Sequence, residues 1–258
     1  TYDFTDALSA FVRVGTDFIN HEIRSIDQYG HWFYPAGRFN FNTRNITETN
    51  ADFLFRYNEN FGNFNLSINA GGNLRYDTYN YYRISGENFK IPEKPIVASA
   101  SNVDPGRTPL REKEVQSLYG SATLDYRSMV YLDVSGRNDW SSALPEDEWS
   151  YFYPSASLSF LFNEIFDIDN SWLTYSKLRA SCAEVGKDTD PYQLTNAFNL
   201  ADIQSSYLGR TILSRPGTYY TDIKPEKAKS LEFGAEVRLF NNRLYAEAAY
   251  YDISSTNL

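Results

Sequence analysis

Along most of this chain apolar and polar side chains alternate with a period of two. That is the signature of β-strands whose two faces meet different surroundings. The clearest case is residues 230–240, where Leu231, Phe233, Ala235, Val237 and Leu239 share one face. Ser230, Glu232, Gly234, Glu236 and Arg238 share the other. Asn241 and Asn242 then predict a tight turn, because Asn tolerates the positive φ that short hairpins require. The partner strand is expected over 243–252, with Leu244, Ala246, Ala248 and Tyr250 opposite Arg243, Tyr245, Glu247 and Tyr251. The same reading predicts strands at 8–18, 46–57, 64–74, 115–126, 130–139, 151–161 and 174–185. Nine strands are expected in all.

The connections alternate in length. Residues 21–45, 76–114, 140–150 and 186–228 form long ones. Residues 58–63, 127–129, 162–173 and 241–242 form short ones. Long loops at one end and short turns at the other describe an antiparallel up-and-down meander. Transmembrane β-barrels are built this way, with short periplasmic turns and longer extracellular loops. Loops of about 11 to 43 residues exceed the few residues usual in soluble hairpins. The polar faces carry opposite charges close together (Arg13/Asp17, Asp52/Arg56, Asp133/Arg137, Glu236/Arg238), which suits a water-filled lumen. Apolar faces end in rings at Phe18, Tyr57, Tyr126 and Tyr250, as interfacial girdles do.

Composition sharpens this picture. The mean hydropathy of −0.50 is polar, and no run approaches the roughly 20 apolar residues of a spanning helix. A membrane strand needs only about 9–11 residues, half of them apolar, so a polar average is compatible with a barrel. The 21 Tyr and 18 Phe exceed what an ordinary core needs. Tyr favours sites that are apolar at one end and wet at the other. With 33 acidic against 24 basic residues the net charge is −9, so no nucleic-acid partner is expected. Cys182 is the lone cysteine, which excludes an internal disulfide. Single-chain bacterial barrels close with even strand numbers. Nine strands therefore predict a segment, residues 1–258 being part of a larger barrel.

Several stretches resemble one family. They are YLDVSGRNDWSSALP from Tyr131 to Pro145, YFYPSASLS from Tyr151 to Ser159, KLRASCAEVGKDTDPYQ from Lys177 to Gln193, and KPEKAKSLEFGAE from Lys224 to Glu236. Together they cover about half the chain and look like the barrel of SusC/RagA-type TonB-dependent outer-membrane transporters. Cys182 stands where that family more often has a large residue, and Lys187 where it often has Asn. The resemblance implies a 22-stranded barrel whose plug domain, TonB box and remaining strands lie outside this sequence. It implies import of glycan oligomers or peptides through the bacterial outer membrane. It also implies two partners, the TonB complex and a SusD-like lipoprotein lid.

Catalytic chemistry finds little footing. The two histidines, His21 and His31, belong to no zinc motif, and there is no nucleophile elbow or phosphate loop. No cofactor is expected. Asp167, Asp169 and Asn170 suggest a calcium loop but lack its Gly and terminal Glu. Asp188 and Asp190 read more simply as turn-forming residues than as metal ligands. Exposed aromatic rings are better candidates for contacting a glycan or peptide, since they offer apolar area at small entropic cost. Trp32 and Tyr34 in one long loop, and Trp140 and Trp149 flanking another, are the candidate contacts. Two alternatives remain open: a TonB-dependent receptor for iron chelates or vitamins, and a soluble β-rich carbohydrate-binding or adhesion module.

Overall fold

A computed structural model describes residues 1–92, 94–106, 109–168, 172–194, 199–201, 212–214 and 223–257, with 199–201 and 212–214 described by backbone alone. The nine expected strands are all present. They are β2 (Leu8–Asp27), β3 (Arg38–Phe61), β4 (Phe64–Phe89), β6 (Leu110–Tyr126), β7 (Val130–Ser141), β8 (Ser150–Leu161), β9 (Leu173–Lys187), β12 (Glu226–Leu239) and β13 (Leu244–Thr256). Two short strands, β1 (Tyr2–Asp3) and β5 (Ala100–Asp104), pair with β2 and β4 respectively. The hydrogen-bonded order is β1-β2-β3-β4-β6-β7-β8-β9-β12-β13, so apart from β5, β10 and β11 the strands pair in chain order. A separate two-stranded ribbon joins β10 (Asn199–Ala201) to β11 (Ile212–Ser214). The helical elements are short, η1 (Val97–Ser99) and α1 (Phe162–Ile165).

Strand boundaries differ from the sequence reading at one end. Much of 21–45 and 76–114 is strand: β2 continues to Asp27, β3 begins at Arg38, and β4 runs on to Phe89. These extensions carry Asn, Thr, Glu and Arg on both faces, so the alternation that marks a lipid-facing strand vanishes although the ladder continues. The turn after β12 is also longer than two residues. It runs over 240–243, with positive φ at Phe240, Asn241 and Asn242.

The chain divides into two compact units. The first comprises residues 1–12, 52–73 and 115–258, and the second 13–51 and 74–114. The second has its own small core of Phe39, Phe89 and Ala100, with Phe41 and Ile84 packed against it. Gly37 and Gly86 permit that core, since a Cβ at either would lie within 2.6 Å of ring atoms of Phe89 or Phe39. Polar contacts support it: Tyr81 donates to Asn42 at 2.9 Å, and Arg75 pairs with Asp77 at 2.6 Å.

The first unit is organised by register. Phe233 lies opposite Tyr250 and Ala180, Ala180 opposite Leu158, Leu158 opposite Leu132, and Leu132 opposite Leu124. An apolar rung thus crosses six strands. The next rung reads Tyr126, Val130, Phe160, Leu178, Ala235 and Ala248, and the one on the other side Ala122, Val134, Ala156, Cys182 and Leu231. Between them run polar rungs such as Thr123, Asp133, Ser157, Ser181 and Glu232. A slip of one residue in any strand would interleave the two sets, so the pattern holds the register.

Candidate functional site

The apolar face of the first unit is bare. Leu132, Val134, Leu158, Phe233 and Tyr250 are between 41% and 64% exposed, and no second sheet covers the face among the described residues of this unit. In a soluble sandwich these residues would meet an opposing layer. A contiguous apolar surface of this extent calls for an apolar partner. Its dimensions match a bilayer. The ten steps from Val130 to Trp140 span about 34 Å of strand, or about 26 Å of height at a tilt near 40°, against a lipid-facing band of about 25 Å.

The edges of the band move along the sheet as tilted strands require. On β7 the outward residues stay free of charge up to Trp140, whereas on β12 the band ends after Leu231, at Lys229. On β13 it ends after Tyr250, at Asp252. At the short-turn end Phe64 and Tyr126 pack with ring centroids 4.8 Å apart, an aromatic pair where a girdle belongs.

The opposite face is a continuous hydrogen-bonded surface. Thr123 and Ser157 both donate to Asp133, at 2.6 and 3.2 Å. Asn65 donates to Asp125 and Asn69 to Ser121. Arg179 bridges Glu232 at 3.1 Å and Glu247 at 2.9 Å, linking three strands. Glu236 and Arg238 form the ion pair expected of them, at 2.9 Å. Arg137 departs from expectation: it pairs with Asp139 at 2.7 Å rather than with Asp133. The i, i+2 neighbour on one strand face is nearer than the i, i+4 neighbour, and Asp133 is already engaged by two hydroxyls.

Where this face meets residues 142–149 it becomes a packed polar cluster. Asp139 accepts hydrogen bonds from Arg137 and from the Tyr153 hydroxyl, at 2.7 and 2.5 Å. Arg137 also donates to Ser117 at 2.9 Å. Ser141 donates to Asp188 at 2.5 Å, and Ala143 and Leu144 are buried beside them. Tyr151 stacks on Tyr153 with centroids 5.9 Å apart. Gly186 makes room for that stack, because a Cβ there would come within 2.5 Å of the Tyr151 ring. The connection 142–149 is tied to this face through Ser141, whose hydroxyl accepts from the Ala143 amide and donates to Asp188 and whose amide donates to the Trp149 carbonyl, and through the Lys224–Glu148 ion pair at 3.6 Å.

The four candidate contact residues are not gathered into one site. Trp32 is 78% exposed, its ring centroid 3.7 Å from that of Phe33. Tyr34 is half-buried, stacked on His31 and capped by Arg38, which donates to its hydroxyl. Trp149 is 49% exposed at the end of that connection, where its carbonyl accepts from the Ser141 amide. Trp140 lies within β7 and has the parity of Leu132 and Val134, at the edge of the apolar band. Arg137, Asp139, Ser117, Ser141 and Asp188 form a cluster that sequence reasoning missed. Nothing in the local sequence announces it, since it is assembled from β6, β7 and the residue just past β9. Of the calcium-loop candidates, Asp167 adopts a positive φ of 49°, whereas Asp169 and Asn170 lie outside the described residues. No group of three or more His, Cys, Asp or Glu side chains converges as a metal site among the described residues.

Comparison with known proteins gives a consistent result. Two TonB-dependent receptors of Formosa agariphila, P3 and P26, are 29% and 26% identical to the chain, over 86% and 84% of it. The match covers 23% and 22% of their own lengths, so the chain spans under a quarter of these relatives. The structure of the RagAB peptide transporter superposes with a TM-score of 0.84 over 97% of this chain and 28% of that one, at 18% identity, which speaks to fold. Residues 1–258 match the family described as TonB dependent receptor-like, beta-barrel. The lipid-width apolar face, the hydrogen-bonded polar face and the meander order all agree with that match, and the chain belongs to the TonB-dependent receptor β-barrel family.

Proposed function

We propose that this chain is part of the barrel wall of a bacterial outer-membrane importer for peptides or glycan oligomers, driven by TonB and served by a SusD-like lipoprotein lid. The observation that carries the reading is the register of β6 to β13, which sets continuous apolar rungs against continuous polar ones. A wall between hydrocarbon and water needs both, and the apolar rungs here stand exposed where a soluble sandwich would bury them. The plug, the TonB box and the remaining strands of a 22-stranded barrel belong, on this reading, to the rest of the protein. The likeness to the RagAB peptide transporter and the motifs shared with SusC/RagA transporters favour oligomeric cargo over iron chelates.

The wall carries out no covalent step. Its task is to keep a hydrated path open while its outer face holds the bilayer. Trp32 and Tyr34, in the connection 28–37, and Trp149 are assigned to cargo or lid contact, and Trp140 to the membrane interface. Ser141, bonded to Asp188 and to the backbone of Ala143 and Trp149, ties 142–149 to the wall. Deleting the full-length gene and measuring growth on peptide or on oligosaccharide as sole nutrient tests the proposal. Loss of growth on one of them, restored by the intact gene, is expected. A defect cured by added iron alone would overturn the choice of cargo.

A further inference from the structure

In the second unit β3, β4 and β6 lie side by side, and three arginines share one face of them. Contacts between the strands fix which residues belong to that face. Arg44 of β3 lies over the Tyr81 ring of β4, 5.7 Å from its centroid, and Tyr81 donates to Asn42. Arg111 of β6 lies over the Tyr79 ring at 5.8 Å. Arg83 follows Tyr79 and Tyr81 at the two-residue period of a strand. Its stem is packed by the turn at Gly106, where a Cβ would come 3.1 Å from the Arg83 Cβ. Arg44 and Arg111 are exposed.

The carboxylates of this face stand in two groups, one on each side of the arginines. Glu48 and Asp77 both contact Arg75, at 3.7 and 2.6 Å, and Asp17 comes beside Glu48 because Thr16 meets Thr49. In the other group Glu87 contacts Arg38 at 3.5 Å, Asp27 contacts His31 at 3.9 Å, and Asp104 accepts from the Gly106 amide at 2.8 Å. Between the groups lie Arg44, Arg83 and Arg111, with His21 brought beside Arg44 by the Asn20–Asn45 contact. None of the three arginines has a carboxylate partner among the described residues, and the buried Nε of Arg83 finds no acceptor there.

We infer that this patch receives the side-chain carboxylates of acidic peptides, an assignment that rests on the importer reading above and narrows its cargo. A planar guanidinium grips a carboxylate through two parallel N–H bonds. Neighbouring strands are about 4.8 Å apart, so Arg44 and Arg111 stand about 10 Å apart across β4, and an extended peptide at about 3.3 Å per residue brings several carboxylates across them. Tyr79 and Tyr81 are half-buried, each with a guanidinium over its ring. The patch therefore offers charge and forked hydrogen bonds rather than the bare rings on which sugars stack.

The test is fluorescence anisotropy with the full-length transporter in detergent and labelled hexaglutamate, hexaglutamine or hexagalacturonate. Hexaglutamate should bind about tenfold tighter than hexaglutamine, and the difference should shrink as salt is raised. Arg44→Gln and Arg83→Gln should each lower hexaglutamate affinity about tenfold and leave hexaglutamine unchanged. Arg127→Gln, in the turn after β6, should change neither. Equal affinity for the two peptides would overturn the inference, as would full hexaglutamate binding by both variants or a preference for hexagalacturonate. Heat-modifiable migration shows that each variant has assembled. Failure to bind either peptide, in a protein that still supports growth on peptide, overturns this inference alone. An unsubstituted protein that never becomes heat-modifiable removes the importer reading as well.

Discussion

Placing an arginine at Val134 or at the adjacent Ser135 separates the two faces of β7 by a single residue. Val134 lies four residues from Val130 and six from Trp140, near the middle of the apolar band. Its rung neighbours are Ala122 and Ala156, neither able to pair a cation. An arginine at the bilayer midplane of a barrel's lipid face costs about 2–4 kcal/mol, equivalent to roughly a 30- to 700-fold drop in the folded-to-unfolded ratio. Ser135 points the other way and hydrogen-bonds Ser155 at 2.7 Å. Arginine there loses one exchangeable hydroxyl contact, about 1 kcal/mol, and gains water and the nearby carboxylate of Asp133. The assay is reversible urea unfolding of the full-length barrel in lipid vesicles, followed by tryptophan emission and heat-modifiable migration. Val134→Arg should shift the midpoint far more than Ser135→Arg. Equal shifts, or a larger one at Ser135, would refute the facing. Gly234, another polar-face position, is a poorer control, since a Cβ there would meet the Arg179 guanidinium at 2.5 Å.

Other expectations follow from single contacts. Ser141→Ala removes the buried hydroxyl shared by the Ala143 amide and Asp188, at a cost of about 1–3 kcal/mol. It should speed proteolytic nicking within 142–149, measured by limited digestion and mass spectrometry. Gly186→Val drives a side chain into the Tyr151 ring and should cost about 1–3 kcal/mol, seen as a lowered urea midpoint. Asn242→Val at φ 64° forces a β-branched residue into the left-handed region, at about 1–2 kcal/mol, and should slow hairpin closure and barrel assembly. Trp32→Ala should weaken cargo uptake while leaving heat-modifiable migration unchanged. Trp140→Ala should do the reverse.

Strands are legible in the sequence where lipid touches one face. Leu231, Phe233 and Val237 alternate with Glu232, Gly234 and Arg238 because hydrocarbon and water lie on opposite sides, and the ladder has that parity. The outer stretches of β2, β3 and β4 are not legible in this way, because Asn20, Glu22, Thr43 and Asn45 share the parity that further along carries Val12, Val14 or Phe53. With polar residues on the outward parity and apolar ones confined to a small local core of Phe39, Phe41, Ile84 and Phe89, the alternation breaks although backbone pairing persists. Trp140, expected at the start of the connection 140–150, instead lies within β7 with the parity of Leu132 and Val134, because the ladder continues past the last charged residue. The polar cluster is not legible either. Asp139 joins Arg137 by a short step along β7, but Tyr153, which donates to Asp139, Ser117, which accepts from Arg137, and Asp188, which accepts from Ser141, come from elsewhere in the chain, and their meeting depends on register that no local pattern encodes.

Which side chains of a strand meet hydrocarbon can be measured directly by site-directed spin labelling along β7. In a Cys182→Ala background of the full-length protein in vesicles, single cysteines from 130 to 135 are labelled one at a time. Their relaxation by oxygen, which partitions into lipid, is compared with that by a water-soluble nickel chelate. A wall between lipid and lumen predicts strict alternation, with oxygen dominant at 130, 132 and 134 and nickel dominant at 131, 133 and 135. Nickel access at 132 and 134, or no alternation along the strand, would contradict it.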